Sequence, residues 1–114
     1  MPRARDAEWH NLTFSALILR KILDNPLVDE TPQSRLKQIG MMSILYYMYI
    51  GNQSLTLSSI VEITRLTRGG VSETVDQLIK RRLLTEALTT NSMGRGRARE
   101  FKIAHELFKE LRGD

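Results

Sequence analysis

Three arginines at alternate positions, Arg95, Arg97 and Arg99, are interleaved with Gly94, Gly96 and Ala98 in the stretch Thr-Thr-Asn-Ser-Met-Gly-Arg-Gly-Arg-Ala-Arg-Glu that spans residues 89 to 100. A guanidinium is a planar, permanently charged fork whose donors match phosphate oxygens or base edges. Glycine allows a turn with positive φ and lets the backbone approach another surface closely. The chemistry on offer is anion binding, not bond making. An ordinary solvated hairpin loop would use the same residue types, so what precedes the loop has to decide between the two.

Residues for other chemistry are sparse. His10 and His105 are the only histidines and lie far apart, outside any metal-ligand pattern, and the chain has no cysteine. That removes disulfides, thiolate metal sites and cysteine nucleophiles together. Gly94-Arg95-Gly96-Arg97 is not a dinucleotide-binding loop, because no strand-to-helix transition surrounds it. No nucleophile elbow, phosphate-binding lysine loop or paired carboxylate in an apolar setting is visible. The expectation is a non-enzyme with no catalytic residue, no metal and no cofactor.

Charge supports an anionic partner through its distribution. The formal net charge is +4 over 114 residues. Up to Leu57, six basic residues face five acidic ones; from Ser58 to Ala104, nine face five; the tail has two against three. The surplus therefore lies in the segment that contains the arginine loop, as a localised field suited to a polyanion. With 41% hydrophobic and 26% charged residues, a folded domain is expected, and the length suits one domain over residues 1–114. The apolar segment from Phe14 to Leu23 is interrupted by Arg20 and Lys21, which argues against a secretory signal. The near-apolar run Met41–Ile50 is about half of a bilayer span. A cytoplasmic, nucleoid-associated protein without a membrane partner is the expectation.

The elements that must position the arginines follow from caps and periodicity. A first helix is predicted from about Ala7 to Leu23, with Asp6 as N-cap and Asp24-Asn25-Pro26 as its end. Trp9, Leu12, Ala16, Leu19 and Leu23 mark one face, yet Phe14, Leu17, Ile18 and Ile22 spread apolar surface over much of the remainder. Thr31-Pro32 is an N-cap and N1 pair for a second helix to Ile50, stopped by Gly51-Asn52. That helix is also apolar on several sides. Core packing with a subunit interface explains this, and a small-molecule pocket lined by its Met and Tyr residues is the alternative.

Leu55-Thr56-Leu57 adds an extended residue or two, and Thr56 then caps a third helix to about Thr64. Arg65-Leu66 forms a tight turn, Thr67 is the next N-cap, and a fourth helix runs to about Arg82. Val71, Val75, Leu78 and Ile79 face inward at helical spacing. Arg68, Gly69, Ser72, Glu73, Asp76, Gln77 and Lys80 occupy the opposite side. Leu83–Leu88 and Ala98–Ile103 read as two strands joined by the arginine loop. A short helix from Ala104 to Arg112, carrying Leu107, Phe108 and Leu111, closes the chain.

Two short helices joined by a tight turn, the second with an inward aliphatic stripe and an outward polar face, describe a helix-turn-helix whose second helix suits a major groove. The hairpin after it makes a winged helix. The expected class is α+β, mainly α: residues 7–50 as N-terminal core and dimerisation helices, 55–104 as helix-turn-helix plus a two- to three-stranded wing, and 105–112 as a short C-terminal helix. The ungapped run from Leu55 to Leu84 resembles the DNA-binding core of MarR-type winged-helix regulators. Leu36-x-Gln38 with Leu45 upstream, and Arg97-x-x-x-Phe101-x-Ile103 downstream, extend the likeness to Leu36–Ala104. Arg65 stands where relatives tend to have a turn glycine, and Val61 where they have a small alanine.

The resemblance implies roles. Thr67, Arg68, Gly69, Gly70 and Ser72 open the recognition helix, where side chains reach base edges and the N–H groups favour a phosphate. Glu73 and Gln77 lie on the same DNA-facing side. Close approach of the sugar-phosphate backbone is one reason to tolerate Gly69 and Gly70 in a helix, and a frayed helix start is the other. Glu73 and Asp76 are awkward beside phosphate, so one of them accepts from a cytosine or pairs with a nearby arginine. Ser58 and Lys80 are backbone contacts, and Arg95, Arg97 and Arg99 are wing cations. Lys80-Arg81-Arg82 is first a charged face that ends the helix dipole. Relatives dimerise through long C-terminal helices. In this chain the contact is expected on Trp9, Phe14, Leu17 and Ile18 with Leu107, Phe108 and Leu111.

The implied function is a homodimeric, sequence-specific binder of double-stranded DNA that represses transcription. A replication or partition protein of a mobile element, and a winged helix that grips an acidic protein, are the competing readings; an effector ligand is unassigned.

Overall fold

The computed structural model describes the backbone of residues 4–90 and 97–113 and the side chains of residues 8–87 and 99–113. The elements are α1 (Ala4–Leu23), α2 (Pro32–Ile50), α3 (Leu57–Thr64), α4 (Arg68–Lys80), β1 (Leu84–Thr90), β2 (Arg97–Ile103) and α5 (His105–Arg112). Helix α1 begins a turn before the predicted start, so Asp6 lies inside it and is not its cap.

Capping fixes most of the boundaries. Thr31, Thr56 and Thr67 each sit in extended conformation and accept through Oγ1 from the amide three residues on, Ser34, Ser59 and Gly70 respectively. Such a side-chain oxygen satisfies one of the amides that a helix start leaves orphaned. At the C-termini of α2 and α4 the chain reverses through Asn52 (φ 57°) and Arg82 (φ 64°). In each case two further amides close onto the last turn. Asn52 N–H donates to Tyr49 and Gln53 N–H to Met48; Arg82 N–H donates to Ile79 and Leu83 N–H to Leu78. This is the Schellman pattern, made here without glycine, and the buried pair Leu78 and Leu83 supplies the apolar contact that accompanies it. The predicted stop at Gly51-Asn52 thus works through Asn52, while Gly51 keeps a negative φ.

Helix α2 is the central element. Its buried side chains, Gln38, Met41, Met42, Leu45 and Met48, repeat at helical spacing and face α1 and α4. Met41, Met42 and Met48 are buried core residues, which agrees with the core-packing reading of this helix over the alternative of a pocket. Phe14, Leu17, Ile18 and Ile22 give α1 its inward stripe, with Phe14 stacked on Tyr46 at 4.1 Å between ring centroids. From α4 the inward residues are Val71, Val75 and Leu78, joined by Thr74, with Ile79 half-buried.

Strands β1 and β2 pair antiparallel in the register Leu84↔Ile103, Glu86↔Phe101 and Thr90↔Arg97. Leu84, Phe101 and Ile103 enter the core. The segment before α3 adds a single extended bridge, Thr56↔Glu100, with Phe101 N–H donating to Leu55 O at 2.7 Å. The third strand of the wing sheet is therefore reduced to one bridge. Helix α5 returns against α1 through buried Leu107 and the Lys21–Glu110 ion pair at 2.8 Å. The described residues form a winged helix-turn-helix, five helices with a two-stranded sheet, as the sequence pattern predicts.

Candidate nucleic-acid interface

The turn between α3 and α4 sets the exposed face of the second helix. Arg65 takes the left-handed conformation (φ 63°) and its N–H donates to Val61 O at 2.8 Å, at the position where a glycine would be unstrained. Thr67 then starts α4. Arg68, Gly69, Glu73, Asp76 and Lys80 are exposed, Ser72 and Gln77 are half-buried, and together they form the outward side of α4. Arg68 reaches back across the turn and donates to Ser58 Oγ at 2.9 Å, so these two predicted contact residues are neighbours. A Cβ added at Gly69 would meet open space, whereas one at Gly70 would lie 3.0 Å from the capping Thr67 Oγ1.

Beside α4 stands the base of the hairpin. Arg99 is the junction. Its Nε and Nη2 donate to the two carboxylate oxygens of Glu86 on β1 at 2.6 and 2.8 Å. Nη2 also donates to Asp76 at 2.7 Å, and Nη1 donates to Ser72 at 3.2 Å, both on α4. The guanidinium lies 5.2 Å from the centroid of the Phe101 ring, which holds its plane from the core side. The Glu86 carboxyl is lowered from its ordinary range chiefly by the Arg99 hydrogen bonds, against an opposing effect of burial. The same bonds, first from Glu86 and then from Asp76, raise Arg99 further above an already basic value.

Each predicted wing cation has a different standing in this geometry. Arg95 lies outside the described residues; Arg97 opens β2, its side chain also outside them; Arg99 is engaged inside the protein. Asp76 pairs with a neighbouring arginine, which is the alternative raised for the carboxylates of this face.

The sequence reading missed Arg81. Expected as part of a surface charge run, it is 4% exposed in its side chain and pairs with Glu30, itself 1% exposed. Arg81 Nε donates to Gln38 Oε1 at 2.6 Å and Nη1 to the carbonyl of Asn25 at 2.6 Å, which ties the C-terminus of α4 to the end of α1 and to α2. Glu30 also accepts from Gln38 Nε2 and from Leu27 N–H. Burial opposes ionisation of Glu30, but these hydrogen bonds and the charges of Arg81 and Arg35 outweigh it and lower its pKa. A signal was present: Gln38 interrupts an otherwise apolar buried stripe on α2, and a buried amide requires partners.

The expected dimer surface needs correction. Phe14, Leu17, Ile18 and Leu107 are buried in the core of the single chain and offer little area to a second subunit. Trp9 remains outside, 66% exposed, with Leu12 at 69% and Leu19 and Leu23 also exposed. The stripe Trp9, Leu12, Ala16, Leu19 and Leu23 is thus the outward face of α1, and Phe108 and Leu111 are only partly covered at its edge. Helix α1 has two apolar faces because only one of them is used inside the chain.

No family model and no curated protein matches the chain. Among solved structures, wild-type MarR of E. coli in its apo form is similar at 15% identity with a TM-score of 0.40, over 99% of this chain and 84% of that one. Among the described residues no group of three or more His, Asp or Glu side chains could hold a metal ion, and no helix is long and apolar enough to cross a membrane.

Proposed function

We propose that the chain is a sequence-specific, double-stranded DNA-binding transcriptional regulator that acts as a homodimeric repressor. The observation that carries this reading is the juxtaposition of the exposed polar side of α4 with the base of the basic hairpin, fastened together through Arg99. In this reading α4 enters a major groove with Arg68, Ser72, Glu73 and Gln77 toward base edges. Thr67, Gly69 and Gly70 lie at the sugar-phosphate backbone, and Ser58 and Lys80 contact phosphates. Arg95 and Arg97 reach flanking backbone or minor groove. Two copies present their α4 helices about 34 Å apart on a pseudo-palindromic site, joined through the outer face of α1 with Phe108 and Leu111. Occupancy of that site blocks a promoter.

Selection of bound sites from random duplexes, followed by titration at several salt concentrations, tests the proposal. Enrichment of a pseudo-palindrome is expected, with a log–log salt slope of about −0.9 per phosphate contacted. Neutralising Arg95 and Arg97 should weaken binding to all sequences, and changing Arg68 or Ser72 should relax sequence preference. Absence of duplex binding at low salt refutes the reading in favour of a protein-binding winged helix. An enriched site made of direct repeats points to the replication or partition role.

A further inference from the structure

The four groups that meet at Arg99 come from three elements: Ser72 and Asp76 from α4, Glu86 from β1, and Phe101 from β2 beneath the guanidinium. A guanidinium held on both edges and on one face is poorly placed to turn toward a phosphate. Leaving would strand two carboxylates on the surface meant to face a polyanion, where like charges repel.

We infer that Arg99 is a positioning residue that locks the hairpin to the recognition helix and fixes the spacing between groove contacts and flanking contacts. This rests on the DNA-binding reading for its consequence, but not for its physical content. With the lock closed, α4 and the wing meet DNA as one body, and Arg99 offsets half of the negative charge of Asp76 and Glu86 without touching DNA. The fork is essential: a lysine carries the same charge but cannot bond Glu86 with two donors while also bonding Asp76 and Ser72.

The test compares Arg99→Lys, Arg99→Gln and Glu86→Gln in the full chain, using the duplex recovered by selection. In free protein, the Arg99 Nε–H resonance should exchange slowly and be lost from its position in Glu86→Gln. Backbone amides of residues 84–90 should lose protection relative to those of α4 in all three variants. On adding duplex to the wild type, that resonance should stay in place. Arg99→Lys should bind about tenfold more weakly, like Arg99→Gln, the scale of losing an ordered charged hydrogen bond. It should also tolerate a base pair inserted between the core and flank of the site. The inference is overturned if Arg99→Lys binds as wild type, if the resonance moves on DNA addition, or if strand protection is unchanged in the variants. Failure of wild-type chain to bind any duplex would refute the function proposed above, while the free-protein measurements would still decide the lock.

Discussion

Replacing Arg81 by alanine tests the architecture most directly. The substitution removes the guanidinium from Glu30, from Gln38 Oε1 and from the Asn25 carbonyl, and it leaves a carboxylate that is 1% exposed with only the more distant Arg35, at 3.9 Å, as counter-ion. Breaking a buried pair from one side costs about 3–5 kcal/mol, because the remaining charge stays desolvated. An exposed cation at a helix C-terminus would instead contribute about 0.3–1 kcal/mol. With an unfolding entropy of about 2.1 cal/mol/K per residue, the chain has about 0.24 kcal/mol/K in total, so Tm should fall by about 12–20 °C. Calorimetry gives the shift, and urea titration should show a lower midpoint with an unchanged slope. The double change Glu30→Leu with Arg81→Met should recover much of the loss, since apolar groups of similar volume can replace a buried pair. A fall of less than about 4 °C on Arg81→Ala, about 1 kcal/mol, would refute the claim that this pair is an internal bond of the fold.

Other outcomes follow from the same geometry. Glu30 has a folded pKa below its ordinary value near 4.5, so its contribution to stability is present above that value and is lost as pH falls through the lower folded one. The thermal stability of Glu30→Gln should therefore lie below wild type at pH 7 and converge on it in acid; parallel curves would exclude the linkage. Gly69→Ala should stabilise the free protein by up to about 1 kcal/mol, since a Cβ there meets open space, yet weaken duplex binding if the sugar-phosphate backbone approaches that position. Denaturant titration and anisotropy measure the two effects separately, and equal binding would place the DNA elsewhere. Arg65→Gly removes a left-handed strain of about 1–2 kcal/mol but adds freedom to the unfolded chain, so a net gain of up to about 1 kcal/mol is expected in urea. Leu12→Glu should leave the melting temperature within a few degrees while shifting sedimentation to the monomer; persistence of a dimer would move the interface off α1.

The helix-turn-helix was legible because its signals are local. Thr56 and Thr67 sit where a threonine before a periodic stretch must cap, and Val71, Val75 and Leu78 share one face whatever lies opposite. The ambiguity in α1 was of another kind. Both stripes have helical spacing, and only the position of α2 decides that Phe14, Leu17, Ile18 and Ile22 turn in while Trp9, Leu12, Ala16 and Leu19 turn out. Arg81 and Arg99 were illegible for a related reason. Their partners lie 51 and 43 positions away for Glu30 and Gln38, and 13 and 23 for Glu86 and Asp76, so composition registers charge but not pairing. Three consecutive cations, Lys80, Arg81 and Arg82, thus split into two exposed side chains and one interior bond.

The outward stripe of α1 has a practical corollary. The chain contains a single tryptophan, and Trp9 stands on that stripe with two-thirds of its surface in solvent. Its indole is therefore a built-in optical reporter: emission from it should be that of a wet ring when the stripe is bare and shift to the blue whenever something apolar covers it. Dilution of the unlabelled protein is then enough to follow that event by light alone.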